Sequence, residues 1–404
     1  MRLLGETDRL DREAWKLLVI SALFALSTAL SSTFVNVYLW KLKRDLVLIG
    51  QYNLAHFIAM AITFILAGRM AKQVDRVIAV RLGVALQAFF YLSVLWLGTD
   101  APGYVMWLGI FVGVGSGFFW LAYNVLYFEI TERDNRDIFN GVNGLLTSGA
   151  GIVAPLISGW VITRVDHLTG YRIIFSLSLL VFLSAVVISF MLKRRSAGGT
   201  YRLRKIIRLA FRRENDWYWV NLAMIAQGVR EGLFTFLIGL LVFVSTGTEL
   251  ALGWYLTLSS GVSLIAYYLA GRYMRMNWRN ESILTGSVMM GVVVVPLLWK
   301  VDTWTLVVLG VGGSLFYPVY MVPLTSVVFD VIGENNRTAQ LRVEYVVARE
   351  LALNVGRIIS VGAFLWWIRE FPDLSMIKWL LVIVGFSQVA AWLAIKRVPL
   401  LEQK

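Results

Sequence analysis

The sequence predicts an all-α polytopic membrane protein, with twelve transmembrane helices in two pseudo-symmetric six-helix bundles. Three observations predict it. Of the 404 residues 58% are hydrophobic and the mean hydropathy is +0.70, against about 45–50% apolar residues in a soluble domain. The excess gathers in runs of about 20 residues, enough for a helix to cross a ~30 Å hydrocarbon core. Two separate stretches also recur in the second half of the chain, at equivalent places in the hydropathy pattern.

Taken in order, the spans are expected at 15–40, 48–70, 79–98, 103–130, 141–163, 173–192, 217–244, 250–270, 282–299, 304–332, 343–367 and 375–395. The first run is too long for a cleaved leader and lacks a small-residue cleavage pattern, so it is read as a span. An even number of spans puts both termini on one side. Basic residues collect there: Arg2, Arg9, Arg12 and Lys16 before span 1, Arg69, Lys72, Arg76 and Arg81 after span 2, and a dense group between Lys193 and Arg213. The alternate segments hold far fewer. This bias predicts a multi-pass plasma-membrane protein (the cell inner membrane) with cytoplasmic termini. Lys41, Lys43 and Arg44 fall in the first outer loop, either as interfacial anchors or as contacts for an acidic substrate. The net charge of +13 is thereby read as topology, and no nucleic-acid partner is expected. With no cysteine, disulfides and thiolate metal sites are excluded.

Three segments follow: an N-terminal six-helix bundle (1–192), a basic cytoplasmic linker (193–216) and a C-terminal six-helix bundle (217–404). Ala197, Gly198 and Gly199 look like a flexible joint. Residues 201–211 interleave Arg and Lys with apolar residues, as would an interfacial helix on an anionic leaflet or a charged linker that only fixes topology.

The halves repeat. Leu66-Ala67-Gly68-Arg69 returns as Leu269-Ala270-Gly271-Arg272, and Phe128-Glu129-Ile130 as Phe329-Asp330-Val331. The charged tails that follow, 131–136 and 332–337, correspond as well. They sit at the ends of spans 2 and 8, then 4 and 10. Parallel repeats imply a substrate site at the repeat interface. With this pattern the chain resembles the major facilitator superfamily over almost its whole length, and bacterial twelve-span drug or lipid exporters in particular. That family's loop signature is matched here by Gly68, Ala71 and Arg76, whereas Lys72 and Asp75 replace its acid and its second glycine. The resemblance implies gating by Gly68, Arg69, Arg76, Glu129, Gly271, Arg272 and Asp330. Glu129 would pair with Arg69 or Arg76, and Asp330 with Arg272, holding the outward-open state. Span 5, with Gly141, Gly144, Gly149, Gly151, Pro155 and Gly159, resembles the family's glycine-rich exporter helix; a generic packing helix fits it as well. The family's arginine early in span 4 is absent from 103–120.

The residues expected to carry transport are the charged ones inside apolar runs, because ionisable groups in a membrane mark functional paths. Arg230 and Glu231, with Gln227, lie in span 7. Glu350, Asn354 and Arg357 share one face of span 11. Counted from the inner ends, Arg230 lies ~20 Å deep and Arg357 ~21 Å. A Glu231–Arg357 contact is expected, leaving Arg230 to an anionic group of the substrate and Glu231 or Glu350 to the proton. The bland alternative is a static polar brace. Glu344 and Arg349, nearer the inner boundary, would serve as gate or anchor. Trp120, Tyr123, Asn124 and Tyr127 form a stripe on span 4 that either lines a cavity wall or packs. Span 10 adds Tyr317 and Tyr320, with Pro318 and Pro323 expected to bend it. His56 and Asn53 lie in span 2, where the histidine either titrates or stays neutral and hydrogen-bonded. His167 is read as an ordinary outer-loop residue.

These features predict a secondary active transporter working by alternating access, an antiporter in which protons drive efflux or flipping of an amphiphilic or anionic organic substrate. Importing or facilitating a small organic anion is the alternative within transport, and a transport-inactive receptor or scaffold the alternative outside it. An enzyme is not expected: no paired histidines, Ser-His-Asp set or phosphate-cradling loop is present. No cofactor or metal is expected. The expected partners are a small-molecule or lipid-like substrate, protons and membrane lipids, with the chain a monomer.

Overall fold

The computed structural model describes residues 10–131, 136–165, 168–195, 199–274, 276–333, 340–371 and 373–399. Ala197, Gly198, His167, Arg2, Arg9, Arg275 and the repeat tails at 132–135 and 334–337 lie outside them. The helices are α1 (Arg12–Lys43), α2 (Leu46–Gln73), α3 (Arg76–Leu97), α4 (Val105–Ile130), α5 (Arg136–Arg164), α6 (Thr169–Ser189), α7 (Leu203–Leu209), α8 (Asp216–Thr246), α9 (Glu249–Tyr273), α10 (Arg279–Val292), α11 (Thr303–Gly333), α12 (Arg342–Glu370), α13 (Ile377–Gly385) and α14 (Ser387–Ile395). Among the described residues, 11 stretches are long and apolar enough to cross a membrane. One of them, Arg76–Tyr127, has 52 residues, about 78 Å as a helix and far more than one ~30 Å core requires. It breaks at a 3-10 turn, Gly98–Tyr104, into α3 and α4, which makes twelve crossings. Several helices run past the expected span ends. Arg12–Lys43 has 32 residues, about 48 Å, so its ends reach into the headgroup layers.

Short polar side chains start α1, α2, α3 and α8. Asp11, Asp45, Asp75 and Asn215 accept backbone N–H groups from Ala14, Val47, Val77 and Trp217 at 2.7, 2.8, 2.7 and 3.0 Å. Each satisfies an orphan donor of the first turn. Asp75, which departs from the family's loop glycine, is therefore the N-cap of α3. At the other end of α8, Gly247 takes φ +72°, the left-handed conformation that closes a helix without a Cβ penalty.

The chain forms two compact units, Met1–Tyr201 with Thr248–Thr257, and Arg202–Gly247 with Leu258–Lys404. In the first unit α4 lies against α2 through Gly109, Gly113 and Gly117. A Cβ there would run into Tyr52, His56 and Thr63. Such small residues let backbones approach closely where lipid offers no hydrophobic drive. Two hydroxyls of α1 tie it to its neighbours: Ser27 Oγ donates to Ser178 O at 2.9 Å and Ser31 bonds Tyr91. Phe24 stacks on Phe119 with centroids 3.7 Å apart. In the second unit Gly286 of α10 receives Tyr320 of α11, and Gly385 receives Val294.

Candidate transport site

The site begins with a helix crossing. Gly228 and Gly232 stand one turn apart on α8, and Gly356 faces them from α12. A Cβ on Gly228 would strike the Leu353 carbonyl, one on Gly232 would lie 2.6 Å from Arg357 Cα, and one on Gly356 would lie 2.7 Å from Val229 N. The two backbones therefore touch. Glu231 is the middle residue of the 31-residue α8. Gly356 is the middle residue of the 29-residue α12, and Arg357 follows it. This close approach of the helices thus carries an acid and a base at the middle of their lengths.

Around that crossing lies a connected polar cluster. Glu231 Oε2 accepts from Arg357 Nη2 at 2.7 Å and from Nε at 3.2 Å. Its Oε1 accepts from Gln227 Nε2 at 2.7 Å and from the Tyr317 hydroxyl at 3.4 Å. Arg357 Nη1 donates to Asn354 Oδ1 at 3.2 Å, and Asn354 Nδ2 donates to Glu350 O at 2.8 Å. The Glu350 carboxylate is taken by its neighbour Arg349 at 2.7 Å. Gln388 Nε2 donates to Gln227 Oε1 at 3.4 Å. The Glu231 and Arg357 side chains remain 21% and 15% exposed, so the pair is only partly buried.

Arg230 shares this level and points elsewhere. Its guanidinium lies 4.2 Å over the Phe234 ring, and its Nη2 would be 3.9 Å from a Cβ on Gly313 of α11. Sequence neighbours on a helix point ~100° apart, which separates it from the Glu231 pair. Tyr320, taken from the sequence as a companion of Tyr317, is fully buried against Gly286. Pro318 and Pro323 lie within the unbroken α11. Glu344, also fully buried, accepts the Arg202 backbone N–H at 3.1 Å.

The N-terminal candidates lie among other contacts. Asn53 is buried and donates to Asn36 Oδ1 and to Ile49 O, both at 2.9 Å. His56 stacks on Phe57 with centroids 5.0 Å apart. Tyr123 is buried and stacks on Phe119 at 5.9 Å. Trp120 is 40% exposed, Asn124 is half-buried, and Tyr127 meets Phe139 at 5.4 Å.

The gating candidates fall into two equivalent pairs, one in each unit. Arg76 Nε lies 2.9 Å from Glu129 Oε1. Asp330 pairs with Arg279 at 2.7 Å, which replaces the Arg272 expected from the sequence. Arg76 opens α3 and Arg279 opens α10, so the two pairs are the same contact in each repeat. Arg69 and Arg272 bond within their own helices, to Gln73 at 2.9 Å and to Tyr268 at 2.8 Å. Gly68 is buried in the last turns of α2, and Gly271, with open space where a Cβ would be, holds the matching place in α9.

Sequence reasoning passed over Gln388 and Met321, whose Sδ lies 3.6 Å from Gln227 Nε2. An amide in the middle of the last apolar run was the available signal for Gln388. It also passed over Glu249. This buried carboxylate takes Lys41 at 2.7 Å and the Tyr171 hydroxyl at 2.8 Å, which accounts for one of the outer-loop cations.

A family model described as Major Facilitator Superfamily matches residues 17–359. A Bacillus subtilis (strain 168) relative, "Uncharacterized protein YqgE", is 42% identical over 404 residues, which is 100% of this chain and 93% of the relative. A Geobacillus stearothermophilus relative, "Uncharacterized protein in sodM 3'region", is 46% identical over 168 residues, 42% of this chain and 78% of its own length. Among solved structures, a bacterial homologue of the iron transporter ferroportin is similar in its inward-facing state. The TM-score is 0.69 at 14% identity, with 96% of this chain and 98% of the other covered. The outward-facing form with soaked iron gives 0.65 at 15%, covering 96% and 99%. At these identities the likeness is one of fold.

Proposed function

The chain belongs to the Major Facilitator Superfamily, a family of transporters and not of enzymes, and we propose that it works as a proton-coupled secondary transporter by alternating access. Its cargo is an amphiphilic or anionic organic molecule, exported or flipped, with both termini cytoplasmic. The observation that carries this reading is the Glu231–Arg357 pair, held at the middle of α8 and α12 and only partly buried. Arg357 and Arg230 supply positive charge for an acidic group. Glu231 takes the proton, with Glu350 as the second candidate. Gln227, Asn354, Tyr317 and Gln388 orient the charged pair. Importing a small organic anion uses the same residues in the reverse direction.

The metal named for the structural neighbours suits this donor set poorly. Glu231 is already paired with Arg357, and the chain has no cysteine. Among the described residues no three of His, Cys, Asp and Glu come together. Iron(II) is held by several imidazole, carboxylate or thiolate ligands together.

The test is proton uptake or release in detergent as candidate amphiphiles and organic anions are titrated in. Native protein is compared with Glu231→Gln, Glu350→Gln and Arg230→Ala. A ligand-linked proton signal lost in one glutamate variant names the coupling acid. A ligand that binds without any proton signal overturns proton coupling, and binding without flux into liposomes makes the chain a receptor.

A further inference from the structure

The segment that runs from Arg202 through α7 to Arg213, ahead of α8, carries a charge array that the proposed transport site does not use. Arg202, Arg204, Lys205, Arg208, Arg212 and Arg213 are all exposed. Among the described residues none of the six is in a salt bridge. Glu214 is the single acid between Arg202 and Asn215. Beside these cations Phe211 is 81% exposed, immediately ahead of a helix that enters the membrane.

A linker that served only to fix topology would need its charge during insertion and no particular shape. This segment has one. Leu203 and Ile206 are 7% and 0% exposed. Its start is pinned by Glu344, which accepts the Arg202 N–H. Its end is pinned by Trp217, whose ring meets Tyr345 edge to face at 4.6 Å. Glu344 and Tyr345 are consecutive residues of α12, so both ends of the array close on one turn of the helix that bears Arg357.

We propose that this array binds the phosphate headgroups of anionic phospholipids, with Phe211 inserted among the acyl-chain ends beside them. The charge complementarity is that of a basic cluster on an anionic leaflet, and an exposed aromatic next to it belongs in the interfacial layer. The array is fixed to α12 through Glu344 and Tyr345, so the headgroup composition acts on the helix that carries half of the central ion pair.

The chain has no cysteine, so Phe211→Cys gives a single labelling position for an environment-sensitive fluorophore. The labelled full chain in neutral detergent is titrated with short-chain phosphatidylglycerol, phosphatidylcholine or inorganic phosphate. A saturable blue shift is expected with phosphatidylglycerol alone. Each of Arg204→Gln, Arg208→Gln and Arg212→Gln weakens it about fivefold, as a charge near an anionic surface should. Raising the salt to about 0.5 M weakens it too. Arg→Lys at the same three positions keeps the response and controls for insertion. Equal shifts with phosphatidylcholine, an equal response to inorganic phosphate, or a response unchanged in the Gln variants would each overturn the assignment.

Discussion

Neutralising Glu231 alone should damage the protein more than neutralising Glu231 and Arg357 together. The pair meets at 2.7 Å; at an effective dielectric of about 20 that is a gross attraction of about 6 kcal/mol. Most of it offsets the desolvation of the two charges. Removing one partner from a buried pair costs about 3–5 kcal/mol, because the other charge is stranded, whereas replacing both is often near neutral. Here the side chains are 21% and 15% exposed, so water relieves part of the stranded charge and the low end applies. Glu231→Gln and Arg357→Gln should each lower stability by about 2–3 kcal/mol, and the double variant by about 1 kcal/mol or less. The coupling energy is then about 3 kcal/mol or more. Thermal unfolding in detergent reads stability, and substrate-driven flux into liposomes reads transport. The double variant should recover stability and stay inactive. Additive single effects would refute the coupled pair, and a stable double variant that transports would reduce the pair to a brace.

Further expectations follow from the same contacts. Gly232→Ala sets a Cβ 2.6 Å from Arg357 Cα; it should part α8 from α12 by about 1 Å and cost about 1–3 kcal/mol as overpacking, visible as a lower unfolding temperature and reduced flux. Tyr171→Phe removes one of the two donors on the buried Glu249 and should cost about 1–2 kcal/mol by thermal unfolding, with an unchanged stability refuting the contact. Asp302, just before α11, is held below the usual carboxylate range chiefly by the Thr305 backbone N–H. A depressed folded value means stabilisation above the unfolded value that is lost as pH falls through the folded one. Hydrogen-exchange protection of the first turn of α11 should hold at neutral pH and decline in acid, and Asp302→Asn should flatten that decline.

The spans were legible because each needs about 20 apolar residues, and the Gly-Arg repeat because Gly68-Arg69 and Gly271-Arg272 lie near the ends of α2 and α9. The Glu231–Arg357 contact was legible from depth alone: 1.5 Å per residue puts both at one level. Rotation was much harder to read. A membrane helix is apolar toward lipid and toward its neighbours, so its hydropathy has little phase, and Tyr320 and Tyr317 could not be told apart as buried and partly open. The exchange of Arg272 for Arg279 has a similar cause. A short motif names a basic residue near a turn, while the partner is whichever one opens the next helix. The Gly228-x-x-x-Gly232 pattern could have been read as a crossing, but Arg230 and Glu231 inside it drew the functional reading first.

One consequence lies in the surroundings of Glu231. Every neighbour that reaches its two oxygens is a donor: the Arg357 nitrogens, the Gln227 amide and the Tyr317 hydroxyl. A proton placed on that carboxylate would turn an acceptor into a donor. The Tyr317 hydroxyl could answer by rotating to accept and the Gln227 amide by turning its oxygen inward, whereas the Arg357 guanidinium can only donate. These groups stand on α8, α11 and α12, so a change of charge at one carboxylate would re-sort side chains on three helices at once.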